Sequence, residues 1–112
     1  MDEWLAEKVL LAVERIPPGE VSTYGDVGGV VGIGPRHVGN VLATYGSGVP
    51  WWRVVNAAGE HGAVRIEAAR EHWDAEGIEV RPDGRGCRLA RYRTDVAALA
   101  AAYEAVLARV HP

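Results

Sequence analysis

The chain has 112 residues, 48% of them hydrophobic, which is the size and composition of one globular domain. No apolar run approaches the roughly 20 residues of a membrane span, and the acidic start "MDEWLAEK" has neither the basic nor the apolar part of a secretory signal, so we expect a cytoplasmic protein. The net charge of −3 argues against a simple polyanion binder.

The first predicted element is an amphipathic helix in "EWLAEKVLLAVERI". Apolar side chains recur at helical intervals from Leu5 to Ile16. The "PPG" that follows, Pro17 to Gly19, ends this helix because proline cannot continue it.

The next segment predicts two helices joined by a tight turn. Thr23 is a good N-cap with Asp26 three residues on, and opens a short helix that reaches about Val31. The "GIG" turn over 32–34 follows, and Pro35 suits the first position of the second helix. This helix–turn–helix arrangement buries one face of the second helix: Val38, Val41 and Leu42.

Gly39 lies in the middle of that second helix, where glycine lowers helix propensity by roughly 1 kcal/mol relative to alanine. Spacing leaves two interpretations open. The glycine is either a packing notch against a neighbouring element or a place where another backbone comes close.

The C-terminal half predicts a helix from about Ile66 to Ala75, stopped by Gly77, and then two short strands around the turn "PDG". Residues 81–93 hold five arginines and one acid; such a run is usually a solvated surface, with nucleic-acid contact as the alternative. A last helix is capped at Thr94, and its apolar side holds five residues: Val96, Leu99, Tyr103, Val106 and Leu107. We therefore expect an α+β domain, mostly helical, with a wing-like hairpin.

Five segments, "GEVSTYGDV", "PRHVG", "VPWWRVVNAAG", "AEGIEV" and "LARYR", stand in the order and at nearly the spacing found in O6-alkylguanine-DNA alkyltransferases. The chain resembles the DNA-binding domain of that family over roughly residues 9–93. The resemblance implies a winged helix-turn-helix-like domain over residues 1–93. Residues 94–112 would be a helical extension that packs on the same domain or docks a repair partner.

The family's reactive motif reads Pro-Cys-His-Arg, and here Trp51 and Trp52 occupy the cysteine and histidine positions. An indole cannot act as the thiolate nucleophile, so the chain resembles the non-enzymatic alkyltransferase-like branch. Trp51 is then expected to form a wall of the lesion pocket. Trp52 departs even from that branch and faces either the pocket's edge or the core.

The resemblance also assigns residues that would flip a nucleotide. Tyr24 would push on the phosphate and Arg36 would take the place of the extruded base, whereas their ordinary alternatives are a half-buried core aromatic and a surface charge. Gly39 would let the helix approach the minor groove. Three further residues are candidates for DNA contact: Ser22, Thr23 and Asn40.

Two arginines complete the predicted lesion pocket. Arg53 continues the reactive motif, with a structural ion pair to Glu76 as its alternative. Arg65 lies in a loop where related lesion binders sense the guanine, although that loop is slightly shorter here. His61 in the same loop is expected to be exposed.

The resemblance implies a monomeric, non-enzymatic sensor of O6-alkylguanine in double-stranded DNA that directs the lesion to nucleotide excision repair proteins. No cofactor, metal or membrane partner is expected. Two rivals are a winged helix-turn-helix regulator that reads undamaged sequence and a residual alkyltransferase that uses Cys87. The single cysteine excludes an internal disulfide and a multi-cysteine zinc site, and its ordinary interpretation is an inert, buried or half-buried thiol.

Overall fold

The structure is a computed structural model that describes residues 2–61 and 65–111. Its elements, in chain order, are α1 (Glu3–Glu14), β1 (Ser22–Thr23), α2 (Tyr24–Val31), α3 (Pro35–Tyr45), β2 (Val54–Val55), α4 (Ile66–Glu76), α5 (Leu89–Tyr92) and α6 (Val96–Val110), with two 3₁₀ turns at Gly46–Gly48 and Trp51–Arg53. No helix in this described part is both long and apolar enough to cross a bilayer.

Helix α1 begins at Asp2, whose side chain accepts a 3.0 Å hydrogen bond from the N–H of Trp4. It ends at Glu14, shortly before the two prolines, as the sequence predicts. Its buried face forms the centre of the larger core cluster: Ala6, Val9, Ala12 and Val13.

The predicted pair of helices α2 and α3 is confirmed. Thr23 caps α2 reciprocally: its hydroxyl oxygen accepts the N–H of Asp26 at 2.9 Å, and the Asp26 carboxylate accepts the N–H of Thr23 at 3.2 Å. Gly32 ends α2 with a φ of 97°, a left-handed conformation that favours glycine. Pro35 starts α3, which buries Val38, Val41 and Leu42 as expected.

A two-stranded parallel sheet joins the N-terminal and C-terminal halves of the domain. Ser22 of β1 pairs with Val54 of β2, and Thr23 pairs with Val55. The larger core cluster lies among α1, α2, α3 and α6. The smaller cluster lies under α4 and the wing, and contains Val21, Val55, Ala69, Trp73, Ile78 and Cys87.

The wing, residues 78–88, differs from the predicted hairpin. Its two sides meet at an antiparallel bridge between Val80 and Cys87, where the N–H of Arg81 donates to the carbonyl of Gly86 and the N–H of Arg88 donates to the carbonyl of Glu79. The chain then turns into α5, because the Tyr92 carbonyl accepts the N–H of Val21 at 2.9 Å. The second predicted strand is therefore replaced by a helical turn.

Helix α6 is capped by Asp95, so the prediction that Thr94 caps it is wrong. Thr94 is 5% exposed and its N–H donates to the carbonyl of Val21 at 2.8 Å, so it belongs to the sheet side. Leu99 and Tyr103 pack in the larger core cluster. Val96 is 41% exposed, so the prediction that it is buried is wrong.

Candidate nucleic-acid interface

Pro50 leads into a 3₁₀ turn that presents Trp51 and Trp52 side by side, both half-buried. Their rings meet edge to face, with centroids 5.8 Å apart and planes at 85°. This is a favourable geometry for an aromatic pair. The second tryptophan therefore supports the orientation of the first.

Trp52 is fixed by three neighbours. Its ring stacks on His72 with centroids 3.6 Å apart and planes 5° from parallel. Its Nε1–H donates to the carboxylate of Glu76 at 2.8 Å, and the guanidinium of Arg53 lies 5.5 Å from the ring centroid. Trp52 therefore forms one edge of an aromatic cluster that it shares with Trp51 and His72, and its neighbours hold it in place.

Arg53 makes the ion pair with Glu76 that the sequence offered as its structural alternative. The closest approach, Nη2 to Oε2, is 2.7 Å, and the two side chains are only 13% and 12% exposed. Arg53 also donates to the carbonyl of Ile16 at 3.0 Å, and the N–H of Gly19 donates to Glu76 at 3.0 Å. Through these bonds Arg53 connects the segment after α1, the 3₁₀ turn and α4.

Burial by itself would raise the pKa of the Glu76 carboxyl, but the hydrogen bonds from Arg53, Gly19 and Trp52 outweigh it and lower the pKa below its ordinary value. Glu76 is therefore ionised at neutral pH. Its charge is balanced by one guanidinium and two further donors.

Trp51 is surrounded by other rings and by a guanidinium. His61 lies edge-on at 5.2 Å between centroids, and His72 lies edge-on at 5.9 Å. The guanidinium carbon of Arg65 is 4.8 Å from the ring centroid, within the range of a cation–π contact. The structure thus places Arg65, Trp51 and Trp52 in one cluster.

Tyr24, the first residue of α2, lies on the other side of His61, with ring centroids 6.5 Å apart. Burial raises the pKa of its phenol and the nearby charge of Arg65 lowers it; burial is the larger effect. The phenol is therefore neutral at pH 7 and can donate a hydrogen bond. Tyr24 is half-buried, next to the tryptophan cluster.

The sequence predicts an exposed His61, but in the structure this residue is half-buried. It packs against Tyr24, Trp51 and Trp73, and its Nε2 is buried without a hydrogen-bond partner in the described part of the protein. Burial lowers the pKa of His61 to about 4, so the ring is neutral at pH 7. The Asn56 carboxamide explains the turn, because its oxygen accepts the N–H groups of Ala58 and Glu60 and folds the loop inward.

Helix α3 presents a separate, polar surface. Arg36 and Asn40 are exposed, and Arg36 forms no ion pair with a carboxylate within residues 2–61 and 65–111. A Cβ built on Gly39 meets no described atom within 4 Å. The packing-notch interpretation of Gly39 is therefore wrong for the described chain, and an approach by another molecule remains.

The two hydroxyls proposed for phosphate contact are poorly placed. Ser22 is fully buried in β1, so the prediction that it contacts DNA is wrong for this fold. Thr23 is 7% exposed and its hydroxyl oxygen already caps α2. The structure gives both residues a role in joining the sheet to α2.

Cys87 is a buried thiol, 1% exposed, within the smaller core cluster. Burial raises the pKa of this thiol above its ordinary value, which disfavours the nucleophilic thiolate. This agrees with the inert interpretation and argues against the transferase that would use Cys87.

Sequence reasoning missed three residues of the cluster: His61, His72 and Trp73. His72 and Glu76 stand four residues apart in "EHWDAE", which places them on one face of α4. That spacing, beside two unexplained tryptophans, is the signal that could have found them. Trp73 is fully buried and its Nε1–H donates to the Trp52 carbonyl at 2.7 Å.

Comparison with protein families gives a match over residues 5–78 to the model described as the 6-O-methylguanine DNA methyltransferase, DNA binding domain. The matched segment contains α1 to α4, and so both the tryptophan turn and α3. The wing and α6 lie outside it.

Two relatives and one solved structure illustrate the similarity. The chain is 35% identical over 91 residues to the DNA base-flipping protein of Vibrio parahaemolyticus, covering 76% of this chain and 90% of the relative. It is 36% identical over 88 residues to alkyltransferase-like protein 1 of Schizosaccharomyces pombe, covering 71% and 81%. The crystal structure of S. pombe Atl1 in complex with damaged DNA containing O6-carboxymethylguanine matches with a TM-score of 0.74 and 27% identity, over 85% of this chain and 98% of that one.

Proposed function

Because this chain belongs to the alkyltransferase-like proteins of the 6-O-methylguanine DNA methyltransferase family, we propose that it is a non-enzymatic sensor of O6-alkylguanine in duplex DNA. It binds through the minor groove, flips the damaged nucleotide and directs the lesion to nucleotide excision repair. Residues 1–93 form the lesion-binding domain, and residues 94–112 extend its core.

The observation that carries the proposal is the position of Trp51. The motif resemblance puts it in the place of the acceptor cysteine, and its ring lies in a cluster with Tyr24, His61 and Arg65. Stacking of a base on such a ring contributes about 1–3 kcal/mol, which is comparable to the few kcal/mol needed to unstack a nucleotide. An O6-alkylguanine pairs poorly, so its extrusion costs less than that of guanine.

Helix α3 supplies the DNA-facing surface in this proposal. Arg36 and Asn40 are exposed on it, and the open space at Gly39 would allow close approach to the sugars. Among the described residues no side chain caps the N-terminus of α3, so its first backbone N–H groups can donate to phosphates. A strongly positive protein is not required for this mode of contact.

The chemistry of the two candidate acceptors supports the proposal that the protein is not a transferase. The indole of Trp51 is not a nucleophile comparable to a thiolate. Cys87 is buried and has a raised pKa. A lesion that is bound without being repaired must be passed on, and excision repair proteins are the proposed recipients.

The decisive experiment compares two labelled duplexes that differ only by one O6-methylguanine, with binding followed by fluorescence anisotropy. A sensor binds the lesion more tightly, and the masses of protein and DNA recovered afterwards are unchanged. Equal affinity would favour a sequence-reading regulator, and a methyl group on the protein would establish a transferase.

The test is sharpened by Trp51→Ala and Arg36→Ala. Trp51→Ala is expected to abolish most of the lesion preference while weakening binding to undamaged DNA much less. His111→Ala is a matched control, since its ring packs on Trp4 and away from the cluster. A 2-aminopurine placed opposite the lesion reports flipping independently of affinity.

A further inference from the structure

The arginine run of residues 81–93 is largely neutralised by carboxylates within the protein. Arg81 bonds to Glu60 at 2.9 Å and to Asp83 at 3.2 Å. Arg88 and Arg91 both bond to Glu79, and Arg93 bonds to Asp26 at 2.7 Å. Arg85 is the exception: no carboxylate of the described chain lies within ion-pair distance of its guanidinium.

A second arginine of this kind, Arg70 of α4, lies against the wing turn at Gly84. A Cβ built on Gly84 would lie 3.5 Å from Nη1 of Arg70, so the guanidinium of Arg70 rests against this turn. Arg70 and Arg85 are both exposed, and Arg70 too forms no ion pair within residues 2–61 and 65–111. Two unpaired guanidinium groups therefore come from different elements, α4 and the wing.

The surrounding acids do not close on either group. Glu60 and Asp83, beside Arg85, are both held by Arg81. Four acids line a surface groove with Arg70: Glu67, Glu71 and Asp74 of α4, and Glu79 of the wing. Glu79 is held by Arg88 and Arg91, and none of the four lies within ion-pair distance of Arg70 in the described chain. The nearby carboxylates repel an approaching anion, but the guanidinium groups of Arg70 and Arg85 remain unpaired in the described chain.

The location of these arginines relates them to the tryptophan cluster. A cavity of about 240 Å³ beside the wing turn is lined by Glu60, His61, Ile66, Gly84 and Arg85. His61 is also in contact with Trp51 and Tyr24. His61 therefore contacts both the cavity beside the wing turn and the proposed lesion pocket.

We propose that Arg70 and Arg85 form a phosphate-binding surface, the wing clamp, which holds the DNA backbone beside the flipped nucleotide. This inference rests on the proposed function and extends the DNA-contacting surface beyond α3. Arg85 lies outside the residues that match the family model. Guanidinium groups bind phosphate oxygens in a bidentate manner. A turn at the surface positions the duplex and reads no sequence.

The wing clamp is tested by the salt dependence of DNA binding with Arg70→Ala, Arg85→Ala and the double variant. Each phosphate contact contributes about 0.9 to the slope of log K against log salt for B-form DNA. Each single variant is expected to lower the slope by about 0.9 and to weaken binding roughly threefold to tenfold near 0.1 M salt. The double variant is expected to lower the slope by about 1.8. The loss should be equal for lesion and undamaged duplexes.

Arg91→Ala is the matched control, because Arg91 is exposed in the same run but is paired with Glu79; its slope should equal that of the wild type. An unchanged slope in the double variant would overturn the wing clamp while leaving lesion sensing intact. A loss confined to the lesion duplex would also overturn it, since that result would assign the arginines to the pocket. If the wild type shows no preference for the lesion, the proposed function itself fails, whatever the slopes.

Discussion

The indole N–H of Trp52 donates a 2.8 Å hydrogen bond to the carboxylate of Glu76, and the same carboxylate is held by the guanidinium of Arg53 at 2.7 Å. In the alkyltransferases that the sequence resembles, a histidine that helps ionise the cysteine occupies the position of Trp52. Here the bonds that Glu76 accepts fix the position of an aromatic side chain.

Glu76→Gln is expected to destabilise the protein by about 2–4 kcal/mol, because it leaves the largely buried Arg53 without its counter-charge. Chemical unfolding in urea measures the change. Glu79→Gln is the control, since its partners Arg88 and Arg91 are 43% and 64% exposed and such pairs contribute roughly 0–1 kcal/mol. Equal losses in the two variants would contradict a structural role specific to Glu76.

Stability is expected to fall as the pH is lowered from 7 to 4. His61 has a pKa of about 4 in the folded protein, below its ordinary value, so the unfolded chain binds more protons between roughly pH 6.5 and 4 and unfolding becomes easier as pH falls. The part of this loss that comes from His61 is on the order of 3 kcal/mol, and His61→Gln should remove it from the pH profile. Thermal unfolding across the range measures it, and an unchanged profile would show that His61 titrates normally.

A second loss of stability is expected at lower pH. The pKa of Asp26 would be raised by burial, but hydrogen bonds from Arg93 and Thr23 lower it below its ordinary value, as similar bonds do for Glu76. A lowered carboxyl pKa contributes stability above the unfolded-state value near 4 that is lost as pH falls through the folded-state value. Asp26→Asn should remove part of this acid-dependent loss in the same experiment.

Gly28→Ala and Gly29→Ala are expected to have opposite effects although the two residues are adjacent in α2. A Cβ at Gly28 would collide with the carbonyl oxygen of Ile33, whereas a Cβ at Gly29 meets no described atom within 4 Å. The first variant should lose about 1–3 kcal/mol through overpacking, and the second should gain up to about 1 kcal/mol from helix propensity. Comparable effects would show that the turn after α2 is not closely packed.

Gly39→Ala should separate stability from DNA binding. Because open space surrounds this position in the described protein, the variant should be as stable as the wild type or up to about 1 kcal/mol more stable. Its affinity for duplex DNA should nevertheless fall at least tenfold if α3 enters the minor groove closely. Wild-type affinity in the variant would place the DNA elsewhere.

Cys87 is expected to react with a thiol reagent only after unfolding, because it is buried and its pKa is raised. The rate of labelling in native buffer should be at least a hundredfold below the rate in denaturant. Fast labelling of the native protein would reopen the possibility of a reactive thiol.

Local sequence signals were sufficient for α1 to α4. Thr23 and Asp26 specify the start of α2 by a short-range capping box, and Pro35 specifies the start of α3. Five short segments, one of them the motif around Trp51, were together sufficient to predict the family, which the comparisons confirm. Each of these features is a short segment whose residues lie close together in the sequence.

The wing and the end of the chain could not be predicted in the same way. The backbone of Val21 forms hydrogen bonds with Tyr92 and Thr94, which lie more than 70 positions away in the sequence. The chain there forms α5 where a strand was predicted, and α6 is capped by Asp95. Local propensity does not contain these distant partners. The burial of Ser22 was missed for the same reason, since β1 pairs with β2 more than 30 residues later.

The sequence by itself determined that tryptophans stand at positions 51 and 52, within motifs that resemble the alkyltransferase family, and that two helices with a tight turn precede them. Only the tertiary structure decided that His61 turns inward, that Trp52 is anchored by Glu76 and His72, and that most of the arginines in residues 81–93 are neutralised. Residue chemistry and local conformation are properties of short segments. Burial and charge pairing depend on which distant segments the fold brings together.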